Sequence, residues 1–183
     1  MLHKILVTTV ALLLAASAAG AAVDDRKDLQ VLKDVATSVD RYTQFTIFDD
    51  INANVKDGVV TLSGKVTMPY KRSDIAKRVA KVEGVRAVRD EIDVLPVSQF
   101  DDELRYRIAR SIYGNSNFWN YAIMPNPPIH IVVEHGRVTL TGVVGSNVDR
   151  MLAQSLATQF GALSVKNTLK TDAEMRNALD KSE

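Results

Sequence analysis

Two matching stretches decide the fold of this chain: Asp57-Gly58-Val59-Val60-Thr61-Leu62-Ser63-Gly64-Lys65-Val66 and His135-Gly136-Arg137-Val138-Thr139-Leu140-Thr141-Gly142-Val143-Val144. Each predicts a β-hairpin, because Asp-Gly or His-Gly lies between two alternating runs and glycine tolerates the positive φ of a tight turn. The incoming strands are residues 51–55 and 129–133, whose odd-numbered side chains are expected to face a core. The sequence therefore predicts a duplicated domain.

The N-terminal segment, residues 1–22, is typical of a secretory signal peptide. His3 and Lys4 precede an apolar run at residues 5–16, and the small residues that follow favour cleavage near Ala21 or Ala22. An uncleaved membrane anchor is the alternative, but the apolar run is shorter than the roughly 20 residues that span a bilayer. We therefore expect an exported, periplasmic protein.

Charge and cysteine content exclude several classes of function. Loss of Lys4 with the signal peptide leaves 22 basic and 22 acidic side chains, so the mature chain lacks the net positive charge that favours nucleic-acid binding. The sequence contains no cysteine, which excludes disulfides, thiol catalysis and a lipid anchor on an N-terminal cysteine.

The segments around the hairpins predict a helix before each hairpin, and a helix and a strand after it. This order places a first domain at residues 23–96, a second at 97–172, and a tail at 173–183 in which a short helix is possible. The linker Pro96-Val97-Ser98-Gln99 is so short that the domains are expected to touch. Six glycines are assigned to turns and helix ends: Gly58, Gly64, Gly84, Gly136, Gly142 and Gly161.

A basic helix face and an aromatic loop are the candidate binding surfaces. The helix predicted at residues 70–83 carries Lys71, Lys77, Arg78 and Lys81, which could hold anionic head groups or could form an ordinary solvated face. The loop before the second hairpin contains Phe118, Trp119, Tyr121 and Met124. Such side chains suit a lipid interface or a binding surface, and the alternative is that the aromatic rings fold back onto their own domain or fill the domain seam.

These patterns resemble the BON domain, a family named for bacterial osmotic-shock and nodulation proteins. The resemblance covers residues 27–172 in two copies, with the hairpin glycines followed by Gly84-Val85 in the first copy; in the second, His135 replaces the usual turn acid. It implies an α+β class with two αββαβ domains, each a three-stranded mixed sheet packed on two helices. It also implies export to the bacterial envelope and, for some members, phospholipid binding or a part in envelope and osmotic stress, without catalysis.

No catalytic, cofactor or metal motif is found in the sequence. His130 and His135 lie an odd number of residues apart on one predicted strand and so face opposite sides, which prevents joint chelation of a metal through that strand alone. The segment from Gly58 to Lys65 departs from a phosphate-binding loop, because five residues separate the glycines and Val66 follows the lysine. We predict neither enzymatic activity nor a cofactor.

The sequence thus favours a non-enzymatic tandem module that binds an envelope component, anionic phospholipid above all. The alternative is an interaction or assembly subunit that uses the same aromatic loop or an open sheet edge against another envelope protein. The expected partner is therefore a phospholipid surface or an envelope protein and not a nucleic acid; composition leaves the oligomeric state open.

Overall fold

The computed structural model describes residues 28–180, so the predicted signal peptide lies outside the described residues. The first domain contains α1 (Asp28–Asp40), β1 (Asp50–Lys56), β2 (Val59–Val66), α2 (Pro69–Val79) and β3 (Ala87–Val94). The second domain contains α3 (Gln99–Tyr113), a 3-10 turn at Ser116–Phe118, α4 (Trp119–Ala122), β4 (Ile129–Glu134), β5 (Arg137–Val144), α5 (Asn147–Ala157), a second 3-10 turn at Thr158–Phe160, β6 (Ser164–Asn167), β7 (Lys170–Thr171) and α6 (Asp172–Asp180).

Each domain is a mixed sheet covered on one face by helices, which confirms the predicted α+β class. β2 pairs antiparallel with β1 and parallel with β3, and β5 repeats this arrangement with β4 and β6. The third strand of the second sheet differs, because it continues after a break as β7. At the break, Thr168 binds the Leu140 carbonyl through both its N–H and its hydroxyl, and the side chain of Asn167 accepts the N–H of Leu169.

Alternation along the strands sends one set of side chains into each core. In the first domain α1 and α2 pack on the sheet, and in the second α3 and α5 do so. Leu62 and Leu140, at equivalent hairpin positions, are both fully buried. The two separate clusters of buried apolar side chains are centred on Val35, Val60, Leu62, Ile75 and Ile92, and on Ile108, Phe118, Ile131, Val133 and Leu140.

The hairpin turns have the geometry that the two sequence stretches predict. Asp57 and Gly58 both have positive φ, 51° and 72°, and His135 and Gly136 have 50° and 72°, as a two-residue type I′ turn requires. Each turn is held by a carboxylate from the start of the preceding helix. Asp101 accepts the N–H groups of His135 and Gly136 at 2.8 and 2.7 Å, and Asp28 accepts the equivalent pair in the first domain.

The outer edge of β4 has its backbone groups bonded by side chains and by the other domain. Tyr113 Oη bonds both the N–H and the carbonyl of Ile129, and the guanidinium of Arg105 donates to the carbonyl of Val133. Between them, the N–H of Ile131 donates to Ile47 of the first domain at 2.7 Å. Because these groups are occupied, the edge of β4 is protected from pairing with another chain.

The two domains touch along a seam formed by the segment before β1 and the open face of the second sheet. His130 Nδ1 lies 2.6 Å from the carbonyl of Asp49, and Thr141 donates to the carboxylate of Asp50 at 2.8 Å. Lys65 and Glu134, each about one-third exposed, form an ion pair across the seam. Val132, which points away from its own core, is nevertheless 6% exposed. The seam therefore buries Val132 and partly covers the side of the second sheet that faces away from its core.

Within residues 28–180, no helix combines the length and apolar character needed to cross a bilayer.

Candidate functional site

The aromatic segment at residues 118–124 forms a short helical projection with a buried base and an exposed outer side. Phe118 is fully buried in the second core, so it belongs to the fold and is unavailable to a ligand. Trp119, Ile123 and Met124 are 66, 63 and 44% exposed. Phe118 thus folds back into its own domain, whereas Trp119, Ile123 and Met124 face solvent and stay available as a predicted binding surface.

Tyr121 fixes this segment to the second domain. Its hydroxyl donates to Asp149 at 3.1 Å and accepts the N–H of Gly145 at 2.7 Å, and its ring lies 5.9 Å from that of Phe118. Burial raises the pKa of Tyr121, and the bond to Asp149 acts in the same direction, so the phenol stays protonated at neutral pH. Tyr121 is thus a positioning residue for the exposed side chains around it.

Lys71, one of the four basic residues assigned to the binding face, points inward instead. It is 4% exposed, and its ammonium lies 2.7 Å from the carboxylate of Asp49 and 2.8 Å from the hydroxyl of Thr67. Its assignment to a lipid-contacting face is therefore wrong. Helical periodicity places Lys71 on the same side as Ile75 and Val79, both fully buried, and that signal was present in the sequence.

Asp49 organises this buried pair. Its carboxylate accepts the N–H and hydroxyl groups of both Thr46 and Thr67 in addition to the Lys71 ammonium, at distances of 2.7 to 2.9 Å. Burial by itself would raise the pKa of Asp49, but the bonds from Lys71, Thr67 and Thr46 outweigh it and lower the pKa below its ordinary value. The network fixes the segment that meets the second domain.

The other three basic residues remain at the surface of α2 or just beyond it. Lys77 and Lys81 are exposed. Arg78 is half-buried, with its guanidinium 5.4 Å from the ring centre of Tyr42 and its N–H groups 3.4 Å from the carbonyls of Ser38 and Arg41. Burial and the bond to Asp74 raise the pKa of Tyr42 to about 12. The basic face therefore consists of two exposed lysines around one anchored arginine.

The basic face and the aromatic segment meet at the end of α1. Asn126, which follows the aromatic segment, donates to the carbonyl of Asp40, while Arg78 donates to the carbonyl of the next residue, Arg41. The two candidate surfaces, which the sequence separates by some forty positions, thus converge on consecutive backbone carbonyls. Ile123 was not selected from the sequence, although an apolar residue beside Tyr121 and Met124 in a short loop was the available signal.

A metal centre has no support in the part of the chain that the structure describes, since no three His, Asp or Glu side chains there are grouped to hold an ion. His130 binds a backbone carbonyl in the seam, and His135 occupies a hairpin turn.

The structure thus defines a tandem α+β protein whose candidate site is an apolar and basic surface. Comparison with protein families supports the same class, since the model of the BON domain matches residues 27–96 and 101–173. The chain belongs to the BON domain family, which confirms the resemblance found in the sequence.

One curated relative and two solved structures are similar to this chain at low sequence identity. Osmotically-inducible protein Y of Escherichia coli strain K12 is 29% identical over 130 residues, which cover 67% of this chain and 62% of that protein. Two solved structures of CdsD, described as a structural protein of the type III secretion system of Chlamydia trachomatis, align with 84 and 80% of this chain and 97 and 99% of theirs. Their identities are 13% and their TM-scores 0.31 and 0.28, too low to inform the function of this chain.

Proposed function

We propose that this protein is an exported, non-enzymatic envelope module that binds anionic phospholipid surfaces. The observation that carries the proposal is the group Trp119, Ile123 and Met124, three large apolar side chains exposed on a segment that is anchored at its base. An indole suits the interface between head groups and acyl chains, because it combines a large apolar body with a polar N–H.

The nearby cations support a preference for anionic lipid. Lys77 and Arg78 lie in the last turn of α2, and Lys81 lies two residues beyond it. Arg78 donates to the end of α1, which the segment after Met124 also contacts. Each exposed basic side chain near an anionic membrane surface contributes on the order of 1 kcal/mol, which falls with ionic strength. Apolar insertion and charge attraction would therefore act on one side of the molecule.

Binding to phospholipid vesicles tests this proposal directly. We expect the mature protein to sediment with vesicles that contain phosphatidylglycerol and not with vesicles of phosphatidylcholine alone, and to be released by salt. Trp119, the only tryptophan, is exposed, so its emission should shift to the blue on binding. Trp119→Ala should weaken binding by about tenfold, as expected for loss of one inserted indole.

Leu163→Ala is the matched control, because Leu163 is 74% exposed on the second domain but lies outside the aromatic segment. Equal binding by Trp119→Ala, Leu163→Ala and the wild type would contradict the assignment of Trp119 to the lipid-binding surface. Capture of one envelope protein that is lost with Trp119→Ala, in the absence of vesicle binding, would favour the interaction subunit instead.

A role in the response to osmotic stress is the second part of the proposal. Its support is family membership together with the name of the Escherichia coli relative, osmotically-inducible protein Y. We expect the amount of the protein to rise after an increase in external osmolarity, and the mature form to lack residues 1–22 and to appear in the periplasmic fraction. Unchanged expression would contradict the stress role. It would not affect the lipid-binding proposal, which the vesicle experiment tests separately.

A further inference from the structure

A cavity of about 430 Å³ lies between the two domains, and neither Lys65 nor Glu134 of the ion pair across the seam lines it. One wall comes from α1 and β1, and the other from β5, β7 and α6. Its volume falls within the range of about 300 to 1,000 Å³ that is usual for small-molecule sites, which occur preferentially at domain interfaces. No residue of the aromatic segment lines it.

The walls are mostly apolar because each domain leaves one surface uncovered there. Leu32 and Ala36 of α1 face the cavity beside Phe45 and Ile51 of the first domain. Opposite them stand Val143, on the open face of the second sheet, and Met175 of α6. Ala36 is exposed to solvent, so the cavity has an entrance along α1.

Some polar groups of the cavity lining have hydrogen-bond partners, and others form no ion pair within the described residues. Both carboxylate oxygens of Asp50 are occupied, by Thr141 at 2.8 Å and by Asn52 at 3.2 Å. Burial raises the pKa of Asp40, and the nearby His130 offsets only part of that rise. Lys170 stands opposite Val143 in the sheet register and forms no ion pair among the residues described. Within residues 28–180, the ammonium of Lys170 is therefore a positive charge in the lining that is not neutralised by an ion pair.

The imidazole of His130 adds a second free polar group. A backbone carbonyl can only accept a hydrogen bond, so the Nδ1 atom beside the Asp49 carbonyl carries the proton. Its Nε2 atom is bonded by none of the residues between 28 and 180. In this tautomer Nε2 accepts a hydrogen bond and does not attract an anion, so it is the ammonium of Lys170 that makes the apolar cavity complementary to a molecule with one apolar chain and one anionic head.

We propose that the cavity between the domains binds a single-chain amphiphile with a carboxylate head, a fatty acid, whose chain packs between α1 and Val143 and whose head pairs with Lys170. This site is separate from the lipid surface proposed above, which engages an assembled membrane. Either can fail without the other.

The test is calorimetric titration of the mature protein with dodecanoate, held below the concentration at which it forms micelles. We expect saturable binding with one site per chain. Ala36→Trp should weaken binding about tenfold or more, since an indole at the entrance fills the space that the chain needs. Ala36 is exposed, so this substitution should leave folding intact, which circular dichroism and thermal unfolding check. Thr37→Trp is its matched control, because Thr37 is the next residue of α1 and lies outside the cavity.

A second pair of variants tests recognition of the carboxylate head. Lys170→Ala should weaken dodecanoate binding by up to about fivefold, as expected for an exposed ion pair, and leave dodecanol binding unchanged. Lys166→Ala, which removes the same charge from β6 outside the cavity, should change neither affinity.

Absence of saturable binding by the wild type, or equal binding by Ala36→Trp and Thr37→Trp, would overturn the site. Equal loss of dodecanoate and dodecanol affinity in Lys170→Ala would overturn the assignment of the head. Trp119→Ala should bind dodecanoate normally, which separates this result from that of the vesicle experiment.

Discussion

At the scale of single residues, burial decides which charged side chains serve the fold and which face solvent. Lys71 and Lys77 lie on the same helix, yet Lys71 is 4% exposed and paired with Asp49, whereas Lys77 faces solvent. A buried ion pair costs desolvation free energy when it forms, and removal of one partner leaves the other charge uncompensated. We therefore expect the same substitution to lower the free energy of unfolding much more at Lys71 than at Lys77.

Lys71→Met should lower the free energy of unfolding by about 3 kcal/mol, at the low end for a broken buried pair because Asp49 keeps four other donors. Lys77→Met should change it by less than about 0.5 kcal/mol, since the side chain is exposed. Urea unfolding at neutral pH measures both. Similar losses in the two variants would contradict the buried pair.

Asp49 should also make stability depend on acid pH. Its pKa in the folded protein lies below the ordinary value of 3.8, so its contribution is complete above that value and is lost as the pH falls through the folded pKa. We expect Asp49→Asn to be less stable than the wild type at about pH 6 and to lose less stability on acidification. Urea unfolding between about pH 6 and pH 2 checks this, and parallel curves for the two proteins would refute it.

Gly64 shows how closely the backbone approaches itself in the first hairpin. Its φ is +118°, and a Cβ there would overlap the carbonyl oxygen of Asp50. Gly64→Ala should therefore lower the free energy of unfolding by about 3 kcal/mol or more, since strain and overlap add. Gly161→Ala, at φ +74° with open space around it, should cost only the left-handed conformation, about 1 kcal/mol. Equal costs in thermal unfolding would show that overlap is unimportant.

At the scale of secondary-structure elements, each first helix is tied to its hairpin by one carboxylate. Asp101 is 1% exposed and bonds both N–H groups of the turn between β4 and β5. The same residue stands in the first turn of α3, where a negative charge suits the helix dipole. Asp101 therefore ties the start of α3 to the hairpin of the second sheet, and Arg105 and Tyr113 tie the rest of α3 to β4.

Asp101→Ala should lower the free energy of unfolding by about 2 to 3 kcal/mol, because two N–H groups lose a charged acceptor. Glu103→Ala is the control, since Glu103 lies two residues along α3 and forms only an exposed pair with Arg107. Its effect should be below about 0.5 kcal/mol. Chemical unfolding of both variants measures the difference, and a small loss in Asp101→Ala would mean that solvent replaces the carboxylate.

At the scale of the whole molecule, the seam joins the two domains into one unit. His130 stacks against Phe45 at 5.2 Å between ring centres, and Phe48 meets Tyr106 edge to face at the same distance. Together with the bond from Ile131 to Ile47, these contacts hold the segment before β1 against β4 and α3 of the second domain. We therefore expect one cooperative thermal transition for both domains.

His130→Ala should loosen the seam. Loss of the bond to Asp49 and of the ring contact should cost about 1 to 2 kcal/mol and speed hydrogen exchange at the amide of Ile131, which bonds across the seam. His135→Asn is the matched control, because His135 is exposed in a turn where asparagine tolerates positive φ. Unchanged exchange at Ile131 in His130→Ala would show that this contact does not join the domains.

The candidate site was predictable in part. The sequence pointed to the segment of Trp119 and Met124 because it is a loop rich in aromatic side chains, which suit lipid interfaces and binding surfaces. The sequence did not show that Phe118 is buried and Trp119 exposed, because the surrounding core determines which way adjacent residues of an irregular segment point. The additional apolar residue on the open face of the second sheet, Val132, was a readable sign of the seam, because strands buried on both faces lose their alternation.

The sequence by itself determined the duplicated αββαβ unit, the two hairpin turns and the glycines on which they depend, because these rest on local periodicity and backbone sterics that nearby residues carry. Only the tertiary structure decided that Lys71 is buried, that Phe118 belongs to the core, and that α1 and the open face of the second sheet enclose a cavity. Those features depend on pairs such as Asp49 with Lys71 or Asp50 with Thr141, whose members are far apart in sequence and meet only when the chain has folded.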